Sequence, residues 1–360
     1  MMLKSLPLWK ELDARTGGAL MATTGGLNIY GTQGAASDRG KPLEAQLETY
    51  LRRGIPHERM CADAVNERFP QFGLTADREA LFQPDYGVLF ASRCVTAVWD
   101  YAAALGVECI SGFRAAKLSE GSEAAVVTAD DGRALLGRSI VVAPGAWLTG
   151  LSRSLFGIHV PTRVSAETVC YYAPNEAATV DHSYHSMPVF CSDEDNGMGA
   201  FGYYGLPMID VPGIKASAHY CGPTIDPDAR PSSAGGVGGA LGASVEAAAE
   251  GRVVDVITST SRFVGSTFPH VQVEPFETQS CLYTSTPDHD YVISRVPGFP
   301  RCVLAGGGSG HGFKMAPAIG DFAATLAMRD VEPPAVLKRF EVERLQHIEA
   351  YDESRHGFRR

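Results

Sequence analysis

Two short segments near the end of the chain carry residue types that could do chemistry together. One is Cys281-Leu-Tyr-Thr, and the other is Gly306-Gly-Gly-Ser-Gly-His-Gly-Phe-Lys314. The second lies between a strand-like and a helix-like pattern, so we expect its backbone N–H groups to point outward at a helix N-terminus. Its glycines would let a ligand approach the backbone closely. Such a turn can hold a phosphate, a carboxylate or the electron-rich edge of a flavin, or it can be a tight turn without a ligand.

The other candidate residues are less specific when each is taken alone. Cys281 lies in a strand-like run, and a cysteine in such a run is usually a small buried hydrophobe. Lys215 and His219 are four residues apart in a strand-like segment, so they share one face of a sheet and could equally be an exposed surface pair. His182 and His185 lie in a polar loop, where we expect them to be solvated.

The spacing of cysteine and histidine argues against a metal site. The eight cysteines are scattered and form no C-x-x-C pair, so neither a zinc ribbon nor a dithiol redox motif is indicated. His289 stands between Asp288 and Asp290, but no second set of ligands has a suitable spacing. We therefore predict that the protein binds no metal.

Composition restricts the class of protein. The chain has 360 residues, of which 45% are hydrophobic and 20% charged, which allows one large domain or two of average size. The net charge of −10 argues against a nucleic-acid partner. No stretch approaches the length of apolar residues that crosses a bilayer, and the first residues do not resemble a secretory signal. We expect a soluble, cytoplasmic protein without a membrane partner.

Hydrophobic periodicity between residues 94 and 143 is typical of one half of a doubly wound nucleotide-binding fold. An amphipathic helix is predicted at Cys94–Leu105 and a short strand at Val107–Ile110. After a small meander, Ser139–Ala143 forms a continuous apolar run of the kind found in buried parallel strands. The apolar positions of the predicted helix share one face: Val95, Val98, Trp99, Ala102 and Leu105.

The remainder of the chain has a different pattern. Short strands joined by polar, Pro-rich loops predict an antiparallel sheet domain within residues 160–280, and a loop that runs into a helix is predicted at 232–249. Arg301–Ala305 is a buried-type strand that leads into the Gly-rich turn and then into a helix at Ala316–Met328. A final helix is predicted at Pro334–Ile348.

Seven segments together resemble one known family, the monomeric sarcosine oxidase and N-methyltryptophan oxidase group of FAD-dependent amine oxidases in the D-amino acid oxidase superfamily. Their order and spacing carry the resemblance over nearly the whole chain, and the last two are the most specific. The segments are LWKELDARTGGAL…TTGGLNIYG, FQPDYGVLFASRCV, IVVAPGAW, FGYYGLP, GIKASAHYCGPTIDPD, CLYTSTPDHDYVI and AGGGSGHGFKMAPAIGD.

The resemblance implies an α/β, two-domain flavin amine oxidase fold. The FAD-binding domain would comprise residues 1–20, 96–169 and 287–360, and the antiparallel-sheet substrate domain would comprise 21–95 and 170–286. Family members begin with a βαβ unit that carries G-x-G-x-x-G, and this chain does not begin with such a unit. The resemblance therefore implies a doubly wound FAD-binding domain that is incomplete.

The resemblance also assigns roles to residues around the flavin. Cys281 would be the thiol bonded to the 8-methyl carbon of the flavin, so the FAD would be covalent. Trp147 would lie in the cofactor site. Lys215 would lie over the flavin face where oxygen reacts. The segment that wraps the isoalloxazine would consist of Gly306, Gly307, Gly308, Ser309, Gly310, His311 and Gly312.

For the substrate, the resemblance implies that Lys314 binds a carboxylate. Tyr204, His219 and Tyr283 would line the pocket beside the flavin. Aromatic walls of this kind exclude water and position a small amine. Lysine supplies a point charge for the carboxylate, whereas arginine would supply a bidentate match.

The implied activity is FAD-dependent oxidation of an N-methyl amino acid, a sarcosine-like secondary amine. The product imine would hydrolyse to an amine and an aldehyde, and O2 would be reduced to H2O2. The alternative is an N-terminally truncated, non-catalytic paralogue or a subunit, for which a partner chain supplies the G-x-G-x-x-G half. A third reading is a related flavin enzyme that acts on a D-amino acid, pipecolate or a glycated amine.

Overall fold

The computed structural model contains seven α-helices among the residues that it describes. The described residues are 1–31, 43–177, 179–198, 200–229, 244–247, 252–328 and 331–352. The helices are α1 (Met2–Arg15), α2 (Leu43–Arg53), α3 (Ala62–Arg68), α4 (Ala91–Ala104), α5 (Leu148–Phe156), α6 (Val256–Thr267) and α7 (Ala316–Ala327). Short 3₁₀ turns lie at Gly145–Trp147, Pro227–Ala229, Phe313–Met315, Ala335–Phe340 and Val342–Leu345.

Eighteen strands are formed in the same part of the chain. The first nine are β1 (Met21–Thr23), β2 (Gly26–Gly31), β3 (Glu58–Cys61), β4 (Arg78–Gln83), β5 (Gly87–Leu89), β6 (Ala115–Glu120), β7 (Ala125–Ala129), β8 (Ala134–Gly137) and β9 (Ile140–Val142). The others are β10 (Arg163–Tyr172), β11 (Val189–Asp195), β12 (Ala200–Leu206), β13 (Ile214–Ala218), β14 (Ser244–Ala247), β15 (Arg252–Asp255), β16 (Glu277–Ser285), β17 (Val292–Val296) and β18 (Phe299–Gly306).

A large mixed sheet positions most of the candidate residues. Its eight strands run in the order β16-β10-β13-β12-β11-β2-β4-β3. All neighbouring pairs are antiparallel except β11 and β2, which are parallel. Successive side chains of a strand point to opposite faces. One face of this sheet packs against α3 and α6 and forms an apolar core that includes Leu27, Phe190, Tyr203, Ile214 and Phe263. The opposite face is polar.

A smaller sheet carries the Gly-rich turn. Its order is β17-β18-β9, and β18 pairs with β9 in parallel. Cys302 and Leu304 on β18 face the core around α5, whereas Val303 and Ala305 face α7. Because both faces of β18 are covered, the strand is a rigid base for the turn that follows it. The remaining strands form a meander, β6-β7-β8, and two small pairs, β1-β5 and β14-β15.

The predicted α/β fold is confirmed, including the antiparallel sheet, the buried strand β18 and the helix after the Gly-rich turn. The predicted boundary between residues 169 and 170 falls inside β10. No helix of the described residues is long and apolar enough to span a membrane. The predicted loop at 232–242 lies outside the described residues.

Three predicted elements are wrong. Val107–Ile110 is not a strand, and no neighbouring strand of the described residues pairs with it. The predicted helix at Pro334–Ile348 is two 3₁₀ turns separated by the extended residue Glu341. Buried residues three apart fit the three-residue period of that helix type: Leu337 with Phe340, and Val342 with Leu345. The helix expected before residue 256 is replaced by β14 and β15, and α6 begins only after Asp255, whose carboxylate caps it.

Two burial predictions also fail. His182 is 1% exposed and its Nδ1 lies 2.9 Å from the carbonyl oxygen of Val180, so it is a core histidine and not a solvated one. Burial lowers the pKa of its imidazole. The apolar side of α4 and the middle of β9 are exposed although their patterns indicate burial. The exposed fractions are 58% for Val95, 46% for Val98, 52% for Trp99, 68% for Leu105 and 43% for Val141.

Candidate active site

The polar face of the large sheet brings the predicted catalytic residues together. Cys281 and Tyr283 lie on β16, Lys215 on β13 and Tyr204 on β12. Registered partners on neighbouring strands point to the same face. The registered pairs are Glu167 with Cys281, Tyr171 with Lys215, and Cys191 with Tyr204. All of these residues are therefore on the face opposite the apolar core.

An aromatic cluster with a histidine lies at the end of β13. His219 follows the last residue of that strand, and its Nδ1 lies 3.0 Å from the hydroxyl of Tyr283. The His219 ring centroid is 5.4 Å from those of both Tyr204 and Tyr283. Burial raises the pKa of the Tyr283 phenol well above its ordinary value, so this hydroxyl keeps its proton at neutral pH. Tyr283 can therefore contact a ligand beside His219 as a neutral phenol.

A buried carboxylate that was not predicted from the sequence holds this cluster in place. Glu167 is 1% exposed, and its oxygens accept hydrogen bonds from the backbone N–H groups of Cys221 and Gly222, both at 3.0 Å, and from Ser165 Oγ at 2.6 Å. Burial raises the pKa of Glu167, and these donors oppose the change. Directly before Cys221 lies Tyr220, a non-glycine residue with a positive φ of 59°. Glu167 therefore stabilises a strained turn. Its only sequence signal is an acidic residue inside the apolar run of β10.

The Gly-rich turn packs directly on β16. Gly310 has a φ of 73°, and a Cβ at this position would lie 2.5 Å from Cε2 of Tyr283. Ser309 is fully buried, its N–H donates to the carbonyl oxygen of Thr284 at 3.0 Å, and its own carbonyl oxygen accepts from the Tyr220 hydroxyl. Only glycine at position 310 allows the turn to approach the tyrosine ring this closely.

The histidine of the turn has a structural contact. His311 Nδ1 lies 2.6 Å from the Tyr291 hydroxyl, and Nε2 lies 3.1 Å from the carbonyl oxygen of His289. Burial lowers the pKa of this imidazole. The acidic neighbours of His289 form ion pairs with arginines: Asp288 with Arg344 and Asp290 with Arg339.

Lys314 lies on the 3₁₀ turn that precedes α7 and is held by the first helix. Trp9 Nε1 donates to the Lys314 carbonyl oxygen at 3.0 Å, and the Trp9 ring stacks on Phe313 at 5.8 Å. The side chain of Lys314 opens into a cavity beside Cys191. Desolvation in the cavity lowers the pKa of its ammonium, while the residue as a whole is exposed.

This cavity has a volume of about 510 Å³. One end contains the predicted substrate residues and the Gly-rich turn, and the other end contains polar residues of β2 and α2. The residues at the first end are Tyr204, His219, Tyr283, Gly310, His311 and Lys314. Those at the second end are Asn28, Tyr30 and Gln46. The second group was not predicted, because no motif marks it.

Eight predicted site residues lie outside this lining: Gly306, Gly307, Gly308, Ser309 and Gly312 of the Gly-rich turn, and Cys281, Lys215 and Trp147. Cys281 is half-buried on the same sheet face. Lys215 is partly buried near it, and burial lowers the pKa of its ammonium, while the Cys281 thiol acts in the opposite direction. Trp147 is 43% exposed, and its Nε1 donates to Asp228 at 2.7 Å.

Comparison with known proteins confirms the resemblance. Residues 1–326 match the model of the family described as FAD dependent oxidoreductase (DAO). The chain is 28% identical to the peroxisomal sarcosine oxidase of Homo sapiens, over 97% of this chain and 82% of that protein. It is 27% identical to the monomeric sarcosine oxidase of Bacillus sp. (strain NS-129), over 90% of this chain and 76% of that protein.

Solved structures show the same fold. The open form of NikD, an unusual amino acid oxidase, has a TM-score of 0.73 at 21% identity and covers 94% of this chain and 81% of its own. Glycine oxidase from Geobacillus kaustophilus has a TM-score of 0.71 at 18% identity, with the same coverage of each chain. The family match extends over most of the chain, which therefore belongs to the FAD-dependent oxidoreductase family (DAO) and is an FAD-dependent amine oxidoreductase.

Proposed function

We propose that the protein oxidises an N-methyl amino acid to an imine, which hydrolyses to an amine and an aldehyde while O2 is reduced to H2O2. One observation carries the proposal. One cavity is lined by Lys314, whose ammonium can bind a carboxylate, by the hydrogen-bonded pair His219 and Tyr283, and by the turn at Gly310. The names of the sarcosine oxidases among its relatives support the choice of a secondary amine. The cytoplasmic location stays a prediction.

The residues of this face fit a flavin. Lys215 and Lys314 form no ion pair within the described part of the chain, so two cations are placed near this region. An electron-rich ring system and an anionic substrate would complement them. We assign FAD binding to residues 1–20, 96–169 and 287–360, and substrate binding to 21–95 and 170–286.

Each side chain then has a separate role. Bound FAD would supply the capacity to accept a hydride equivalent and to reduce O2. Lys314 binds the substrate carboxylate, and Tyr204 and His219 hold the neutral amine and exclude water. Lys215 supplies positive charge where oxygen is reduced. Cys281 would hold the cofactor through its sulfur and so prevent its loss.

The role of Lys314 is tested by the Lys314→Met variant. Hydrogen bonds to charged groups contribute about 1.5–3 kcal/mol, so we expect KM for sarcosine to rise roughly 10- to 100-fold. Oxidation of N-methylpropylamine, which has no carboxylate, should change much less. Lys117→Met, on an exposed position of β6, is the matched control. An unaltered KM for sarcosine would refute the assignment.

The covalent link is tested by the Cys281→Ser variant. Acid precipitation should release free flavin from the variant and leave flavin attached to the unaltered protein, because a hydroxyl is too poor a nucleophile to form the bond. Cys61→Ser removes an exposed thiol elsewhere and should not change the result. Flavin that still co-precipitates with Cys281→Ser would show that another residue carries it.

A second candidate is a subunit that needs a partner chain to supply the G-x-G-x-x-G half, or a paralogue without catalysis. The exposed apolar side of α4 and the edge strand β9 favour it, because a sheet edge and apolar surface of this kind usually pack against other structure. A purified chain that binds FAD and oxidises sarcosine as a monomer would exclude this candidate. A chain that gains flavin only with a G-x-G-x-x-G polypeptide would support it.

A further inference from the structure

We infer that the far end of the cavity selects a substrate whose side chain carries a hydrogen-bonding group, so that the substrate is a polar N-methyl amino acid larger than sarcosine. The inference rests on the proposed function and adds the substrate class to it. It is carried by three residues that the catalytic roles do not use: Asn28, Tyr30 and Gln46.

The far end lies two strands away from the residues assigned to the substrate amine. Tyr204 is in register with Cys191 on the next strand, and Cys191 is in register with Asn28 on the strand after that. The three residues form a row across β12, β11 and β2. Two strand spacings amount to about 10 Å. An amine held at Tyr204 and His219 therefore needs a side chain that extends past Cys191 to contact Asn28.

The wall at this end is a built hydrogen-bond network. The Tyr30 hydroxyl donates to Gln46 Oε1, and Gln46 Nε2 donates to the Tyr50 hydroxyl at 2.6 Å. Asn28 Nδ2 donates to the same hydroxyl at 3.2 Å. The Tyr50 oxygen thus accepts two hydrogen bonds, and its own proton is directed to the Tyr86 hydroxyl, 3.0 Å away.

The network decides which kind of group the wall presents to the cavity. The Tyr30 proton is used inside the network, and so is one N–H proton of each of the amides Gln46 and Asn28. Each amide keeps a second N–H donor, and the Tyr30 oxygen retains acceptor capacity. Asp193 also lines the cavity. The wall therefore offers both donors and acceptors, and an apolar substituent would leave them without a partner from the substrate.

The wall is also preorganised. Tyr50 is 6% exposed and packs with Leu43 and Leu81, which fixes α2 on β4. Gln46 lies one helical turn before Tyr50 on the same side of α2. A rigid polar wall discriminates against ligands that cannot satisfy it more strongly than an apolar pocket discriminates by size.

The experiment compares isosteric substrates with the full-length holoenzyme. Nα-methyl-L-asparagine and N-methyl-L-leucine have side chains of the same shape, and only the first can form hydrogen bonds. We expect kcat/KM to favour the asparagine derivative by roughly tenfold or more. Asn28→Leu should reduce that preference to about one or reverse it. Gln272→Leu, an exposed position away from the cavity, should keep the preference of the unaltered protein.

A binding measurement covers the case in which Asn28→Leu fails to fold. Succinamate and 4-methylpentanoate are the same two side chains without the oxidisable amine, and calorimetry on the unaltered protein should show succinamate binding roughly tenfold more tightly. The inference is overturned if 4-methylpentanoate binds at least as tightly as succinamate and N-methyl-L-leucine is turned over at least as well as the asparagine derivative. The proposed function would then remain intact. The same holds if sarcosine is oxidised and neither larger amino acid is accepted. If no N-methyl amino acid reduces the flavin, the proposed function fails. The comparison of succinamate with 4-methylpentanoate then still tests whether the far end of the cavity prefers a polar group.

Discussion

Substitution of Gly310 by alanine should damage the protein in two separable ways. The φ of 73° places this residue in the left-handed region, where a Cβ costs about 1–2 kcal/mol. The new Cβ would also lie 2.5 Å from Cε2 of Tyr283, so the ring must retreat by about 1 Å to reach ordinary contact. Tyr283 is buried and is hydrogen-bonded to His219, and overpacking of this kind costs about 1–3 kcal/mol. The expected total loss in the free energy of unfolding is about 2–5 kcal/mol.

The chain offers a matched control for the backbone component. Gly298 has a φ of 79°, and a Cβ at that position would meet nothing within 4 Å. Gly298→Ala should therefore lose only the backbone contribution, about 1–2 kcal/mol. The difference between the two variants isolates the contact with Tyr283. Urea unfolding, followed by circular dichroism, measures both values.

Activity separates the two variants further. A displacement of about 1 Å at a group that positions substrate can reduce turnover about 100-fold, so Gly310→Ala should lose most of its oxidase activity while still folded. Gly298→Ala should retain it, since Gly298 lies on the turn between β17 and β18, outside the cavity. If both variants lose the same stability, or if Gly310→Ala oxidises sarcosine normally, the close packing of the turn on Tyr283 does not govern the site.

Two further substitutions test groups that the fold buries. Because burial lowers the pKa of Lys215, the folded state holds an unfavourable charge at every pH below that pKa, and the cost disappears as the pH rises toward 10.5. Lys215→Met should therefore stabilise the protein by about 1 kcal/mol at pH 7, with a gain that fades in alkaline unfolding titrations, while flavin reoxidation by O2 slows in stopped-flow measurements. Glu167→Ala should cost about 2–6 kcal/mol in urea unfolding, because the buried N–H groups of Cys221 and Gly222 lose their acceptor. Glu167→Gln keeps one acceptor oxygen and should lose less, and equal losses would contradict this account.

The sequence predicts those parts of the site that local patterns specify. β18, the Gly-rich turn and α7 form one continuous strand–turn–helix unit, so Gly310 and Lys314 could be placed from spacing and resemblance alone. Lys215 and His219 could be assigned to one sheet face because the period of a strand is two residues. Such features depend on neighbours in the chain and need no knowledge of the sheet order.

The parts that could not be predicted depend on contacts between distant segments. Asn28 faces the cavity because β2 pairs in parallel with β11, more than 150 residues later in the chain. Glu167 gained its role because the turn after β13 folds back over β10. The apolar side of α4 illustrates the opposite error, since its pattern predicts burial and the described residues leave Trp99 half-exposed. Periodicity states which side of an element is apolar, but it does not state what covers that side.

The strand alternation of the large sheet explains how one layer supplies both a core and a site. Tyr203 and Tyr204 are adjacent on β12, and yet Tyr203 is 1% exposed and stacks on Phe263 at 4.4 Å, whereas Tyr204 lies on the cavity side in contact with His219. The same division holds on β13, where Ala216 belongs to the core and Lys215 to the site face. The core face fixes the register of every strand, because a slip of one residue would place the polar set in the core. The position of each cavity residue is therefore set by the burial of its neighbour in the chain, and the precision of the site depends on apolar residues that contact neither substrate nor flavin.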